Sequence, residues 1–298
     1  MKKFFLLFLL PLTLAAQETD DQAFKIENEP SPFYPFTITG SYVSVNPAHL
    51  RTKEMEGSTL TFKQSEAALG HIHPLSPIFG LIFGAGWIGT EVNLKDNPDF
   101  SQNHFSYINL LTGAYTDAFP DWNWRFTASA FLDTNEASLF DSTLYQAVLW
   151  GKYTLCAPFE LDFGFILETG LHKTKVWPII GFIYAPSPKW HIDIVFPVDV
   201  SVNYAISKCI SASASFRFLR SRHRLNDNEP NPQGIFEYRT TGAEFDLTYG
   251  PFSRFAVTGF AGLTSKGDLK VGNRKNAHAT HYKFKGSYYS GVLAVLSY

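Results

Sequence analysis

The 298-residue chain carries 17% charged and 16% aromatic residues, a formal charge of −2 and a mean hydropathy of −0.07. Near-neutral charge lacks the concentrated positive footprint of a nucleic-acid binder, so no nucleic-acid partner is expected. Neutral hydropathy excludes a bundle of membrane helices, each of which needs about 20 apolar residues, but it suits a barrel that shows only alternate residues to lipid.

The chain opens with a secretory signal pattern. Lys2 and Lys3 form a charged start, Phe4 to Leu14 an apolar stretch, and Ala15 and Ala16 a small-residue cleavage site before Gln17. No cysteine follows, which argues against a lipoprotein. Residues 1–16 are therefore expected to be removed, 17–35 to form a polar, Pro-containing periplasmic lead, and 36–298 to form one barrel domain.

From residue 36 the dominant signal is alternation with period two, the mark of a strand with two unlike faces. Trp122, Trp124, Phe126, Ala128 and Ala130 alternate with Asn123, Arg125, Thr127 and Ser129. Phe159, Leu161, Phe163, Phe165 and Leu167 oppose Glu160, Asp162, Gly164 and Glu168. Similar patterns occupy 189–196, 198–206 and 208–219. Strands are predicted near 36–45, 58–70, 79–92, 104–115, 122–132, 143–155, 159–169, 174–184, 189–196, 198–206, 208–219, 235–249, 252–264 and 282–298. That reading gives an all-β, antiparallel, up-and-down transmembrane barrel of about 12–14 strands, with Pro197 leaving the count open because proline removes a ladder donor. Long connections near 46–57, 93–103, 133–142, 220–234 and 265–281 alternate with short ones near 156–158, 185–188, 207 and 250–251. Bacterial barrels place long loops outside and short turns in the periplasm. Cys156 and Cys209 fit neither a disulfide framework nor a zinc motif, and a single disulfide between them stays open.

The final segment alternates to the last residue: Tyr282, Phe284, Tyr288, Val292, Leu296 and Tyr298 share one register. An aromatic terminus resembles the C-terminal strand of outer-membrane barrels, which implies that Tyr298 serves as the insertion signal read by the barrel-assembly machinery. The segment from Trp177, WPIIGFIYAPSPKWHIDIVFPVDVSVNYAIS, resembles an uncharacterised family of Gram-negative outer-membrane barrels. The resemblance implies fold and an outer-membrane location among lipid and lipopolysaccharide, with no catalytic residues to carry over.

Candidate lumen charges are Arg125, Lys152, Glu160, Asp162, Glu168, Asp193, Asp199, Arg217, Glu244, Asp246, Arg254, Lys283 and Lys285. Charges lining a pore tune solute selectivity; the competing reading is a set of ion pairs that closes a narrow barrel. Arg220, Arg222 and Arg224, with Arg274 and Lys275, are expected on outer loops, where guanidinium groups match phosphate geometry. His71 with His73, and His278 with His281, lack the partner spacing of a metal site. No nucleophile elbow, P-loop or HExxH motif is present. His191 beside Asp193, with Ser201 or Ser211 near, reads better as a hydrogen-bond network than as a catalytic set. The expectation is a passive, porin-like channel for small solutes, without enzymatic activity, cofactor or metal. The alternatives are a closed barrel acting through basic outer loops and, third, a lipid-acting enzyme. Oligomeric state is not encoded legibly.

Overall fold

A computed structural model describes residues 35–51, 55, 57–95, 97–134, 142–252 and 254–298. The expected signal peptide and all but the last residue of the lead lie outside the described residues. The strands are β1 (Phe36–His49), β2 (Thr59–Ser76), β3 (Phe79–Leu94), β4 (His104–Phe119), β5 (Trp122–Asp133), β6 (Leu144–Cys156), β7 (Phe159–Gly170) and β8 (Lys173–Ser187). They continue as β9 (Trp190–Phe196), β10 (Asp199–Ala205), β11 (Ile210–Arg224), β12 (Ile235–Phe252), β13 (Phe255–Thr264), β14 (Gly267–Gly272), β15 (Thr280–Phe284) and β16 (Tyr288–Ser297).

Each of β2 to β13 pairs antiparallel with the strand before it, and β16 joins β13 to β1, closing the sheet. The wall therefore has fourteen strands. β14 and β15 prolong β13 and β16 beyond the barrel, pairing with the start of β12 and with each other. Closure satisfies the backbone polar groups that lipid cannot. The outward face is apolar around the ring, with Leu69, Phe83, Ile108, Phe126, Phe165, Ile180, Phe245 and Val292 all exposed. A water-soluble surface rarely carries so continuous an apolar belt; this one is a lipid-facing band. Aromatic pairs mark its short-turn end: Trp122 on Tyr153 at 4.9 Å, Trp190 on Tyr204 at 4.8 Å and Phe36 on the terminal Tyr298 at 5.4 Å. Such rings sit at the membrane–water interface.

Three expectations are corrected at the long-loop end. The segment 220–234 is not all loop, because β11 runs to Arg224 and β12 starts at Ile235. The segment 265–281 contains β14 and the start of β15. Lys283 and Lys285 do not face the lumen. Tyr289, Val295 and Ser297 point inward on β16, whereas Tyr282 and Phe284 do so on β15, so the break at 285–287 inverts the faces. A one-residue slip moves every following side chain to the other side, leaving Lys283 and Lys285 exposed on the outward face. Arg254 lies exposed at the β12–β13 turn, not on the lumen wall. Cys156 and Cys209 are free thiols.

Gly181 marks a close approach within the wall: a Cβ there would lie 2.2 Å from the Ile194 carbonyl oxygen and 2.4 Å from the Val195 Cα. Backbone, not a flexible side chain, occupies that space. Gly181→Ala is expected to destabilise the barrel by about 1–3 kcal/mol, the usual penalty of overpacking, read as a lower urea midpoint in reversible unfolding from detergent or lipid. An unchanged midpoint would contradict this packing.

Candidate functional site in the barrel interior

The interior is organised by one unusually short hairpin. β9 and β10 have seven residues each and turn at Pro197 and Val198, midway up the wall. β8 pairs with β9 only from Ile180 onward, and β11 pairs with β10 only as far as Ser215. Above the hairpin, Lys173–Ile179 of β8 and Phe216–Arg224 of β11 therefore have no common neighbour. Pro178 falls in that bare stretch, where the missing N–H removes nothing from the ladder.

Freed from β10, the end of β11 turns into the lumen with its partner β12. Up to Phe216 the even residues of β11 face lipid. Beyond it, Arg220, Arg222 and Arg224 carry side chains that are buried, and the inner faces of β7 and β8 lie over this charged side. Arg220 pairs with Glu168 of β7 at 3.2 Å and with Glu237 of β12 at 2.7 Å. Lys175 of β8 reaches Glu237 at 3.3 Å, and Arg239 also pairs with Glu237. Arg222 donates to the Leu171 carbonyl and lies 3.5 Å from Glu168. Arg224 donates to the Gln233 carbonyl at 2.9 Å. These three arginines are thus strand residues packed inside the barrel, not outer-loop residues. Arg274 and Lys275 are exposed at the β14–β15 connection.

The other side of this inward tongue is apolar. Phe236 and Tyr238 join Phe62, Phe105, Leu269 and Phe284 in a buried cluster that fills the mouth between the tongue and β1–β4. Tyr238 stacks on Phe62 at 4.1 Å, and His223 stacks between Phe105 at 4.9 Å and Tyr107 at 4.4 Å. Polar pins fix the register: Thr90 and Ser221 hydroxyls lie 3.2 Å apart, and Tyr107 donates to the Arg222 carbonyl at 2.5 Å. At the tip, Ser101 donates to Glu229 at 3.1 Å. Outside the membrane band, burial and a hydrogen bond given to Asp99 push the Tyr282 phenol pKa up.

Toward the short-turn end the lumen turns acidic. Glu66, Glu160, Asp162, Asp193, Asp199, Glu244 and Asp246 line it, against Arg125, Lys152 and Arg217. Arg217 clamps Glu244 at 2.6 Å and lies over the Phe260 ring at 4.3 Å. Ser213 and Ser215 donate to Asp246 at 2.8 and 3.0 Å. Trp150 donates to Asp162 at 2.5 Å. His191 lies 3.0 Å from Asp193, which also accepts from Asn203 at 3.3 Å. Ser201 donates to Asp193 and Asp199, and Ser211 is paired with Ala205 on the neighbouring strand. His71 stacks on Phe36 at 4.3 Å with its Nδ1 3.2 Å from the Pro35 carbonyl, a packing role at the barrel seam. An apolar cluster on β6–β9 buries Ile166 and Ile179 between the acidic zone and the tongue, and Ile183 and Val195 among the acids, opposite Asp193 and Asp199.

No protein-family model matches the chain. An uncharacterised protein of Chlamydia pneumoniae is 28% identical over 282 residues, covering 90% of this chain and 88% of that one. Another from Chlamydia trachomatis serovar D is 26% identical over 284 residues, with the same coverage of 90% and 88%. Among solved structures, an outer membrane channel of Pseudomonas putida F1 is 12% identical with a TM-score of 0.47, covering 91% of this chain and 100% of that one. The translocator domain of the autotransporter NalP from Neisseria meningitidis is 10% identical with a TM-score of 0.39, covering 96% and 98%. Likeness at this level decides nothing about role.

The tongue is what reading the sequence missed. Its signal is present: in Leu219-Arg220-Ser221-Arg222-His223-Arg224-Leu225 arginine recurs at every second position, a strand pattern that its charge disguises as a solvated loop.

Proposed function

We propose that this chain is an exported outer-membrane channel for small solutes, closed at rest by the inward tongue of β11 and β12. One observation carries the reading: the two faces of the tongue are chemically opposite. The face toward β1–β4 is stacked and apolar, and separating it would expose that core to water. The face toward β7–β8 is built from ion pairs, whose members can be rehydrated when parted. A buried ion pair is weak evidence for stability and is best attested where a register or switch is needed. Passage therefore opens between the charged face and β7–β8, leading past the apolar cluster to the acidic zone.

Carboxylates outnumber cations in that zone, which favours cations. Planar-bilayer recordings of the mature chain from Gln17 are expected to show gated, cation-selective steps. Glu160→Gln with Asp199→Asn, both half-exposed to the lumen, should lower the cation-to-anion permeability ratio several-fold without loss of folding. A folded, inserted barrel that stays silent at every voltage would overturn the channel in favour of a closed structural barrel.

A further inference from the structure

The inverted faces of β14 and β15 build a second feature that the channel does not use. Lys283 and Lys285 project outward because Tyr282 and Phe284 take the inward positions. Arg51 lies beside them, its backbone N–H donating to the Lys283 carbonyl at 2.8 Å, and the Lys285 N–H donates to the His49 carbonyl at 2.9 Å. Lys266 stands exposed at the break between β13 and β14. Among the described residues, Asp268 stands directly across from Lys283 on the β14–β15 ladder and is engaged by His281 at 2.9 Å. Farther round, Lys63 is matched by Glu91 at 3.2 Å. Among the described residues no ion pair engages Arg51, Lys266, Lys283 or Lys285.

Height decides what such a cluster meets. The last outward apolar pair below it is Leu263 opposite Tyr288, 55% and 69% exposed. Lys285 and Lys266 each follow three residues beyond that pair along their strands. At about 3.3 Å per residue Lys266 and Lys285 stand about 10 Å along the strand from the end of the apolar band, at the depth of lipid headgroups, and Lys283 and Arg51 follow about 6 Å beyond them. A phenol directly beneath is the amphipathic side chain expected at that boundary.

We propose that Arg51, Lys266, Lys283 and Lys285 form a site for the phosphate groups of an anionic glycolipid in the leaflet around the long-loop end. Lysine ammonium groups act as point charges on phosphate, and Arg51 adds a bidentate fork. Phosphates at a fixed depth, presented laterally by lipid, match a cluster that sits just above an aromatic rim. A soluble polyanion would need no such placement.

The test uses the full mature barrel in non-ionic detergent, titrated with diphosphoryl lipid A, monophosphoryl lipid A and inorganic phosphate, and followed by native mass spectrometry. Diphosphoryl lipid A should bind at least tenfold more tightly to the wild type than to the Lys266→Gln/Lys283→Gln/Lys285→Gln variant, with the monophosphoryl form between them. Heat-modifiable gel mobility checks that the variant folds; Lys285→Arg, which keeps the charge, should retain binding. Equal binding to wild type and triple variant, or displacement of lipid by millimolar inorganic phosphate, would overturn the proposal. Bilayer conductance is read separately, so failure here leaves the channel reading standing, and the reverse.

Discussion

Glu237→Gln should part the tongue from β7–β8 and raise the conductance of the barrel. The Glu237 carboxylate gathers Arg220, Lys175 and Arg239 at the tongue's charged face, and its side chain is 1% exposed. The amide keeps the shape and removes the charge that three cations share. Removing one partner from a buried ionic cluster usually costs about 3–5 kcal/mol, because the opposite charges stay buried and uncompensated. Here they have an outlet: if the tongue parts from β7–β8, Arg220 and Lys175 regain water. The expected result is a several-fold rise in open probability in planar bilayers, with a much smaller loss of unfolding free energy than the full penalty. If conductance stays at the wild-type level and the whole 3–5 kcal/mol appears in unfolding, the charged face is a static seal and the gate lies elsewhere.

Phe236→Ala tests the opposite face. The ring is fully buried, stacked at 5.0 Å on Phe105 and edge-on at 5.6 Å to Phe100. Truncating a buried phenylalanine removes its transfer free energy and leaves a cavity, together about 3–5 kcal/mol. Nothing polar is freed, so no gain of hydration offsets the loss. The variant should unfold at a clearly lower denaturant midpoint while its open probability changes little. A variant that gates like Glu237→Gln would show that the tongue hinges away from β1–β4, and that the passage runs on the apolar side.

Much of the wall was legible because lipid and lumen impose opposite demands on alternate residues. Trp122, Trp124 and Phe126 against Arg125 and Thr127 were readable for that reason, and Pro197 marked the tip of the short hairpin. The interior of the mouth was not legible in the same way. There, both faces of β11 are covered by protein, so Arg220 and Arg222 read as solvent-exposed when Glu168, a distant partner in sequence, is what covers them. Lys283 and Lys285 were misplaced because alternation reports that faces differ, not which side is inside. The slip at 285–287 reverses that assignment without interrupting the pattern. Candidate lumen charges on β5, β6, β7, β9, β10, β11 and β12 lie on the inner face of the wall, but pairing across the lumen depends on curvature, which no local pattern encodes.

The half-height hairpin leaves the wall uneven. Fourteen strands surround the short-turn end, while β9 and β10 stop midway, so above Pro197 the edges of β8 and β11 face each other with no strand between them. An unpaired strand edge carries backbone N–H and C=O groups that lipid cannot satisfy. The inward turn of β11 takes one of those edges away from the lipid side, so the tongue closes a seam in the wall as well as filling the mouth.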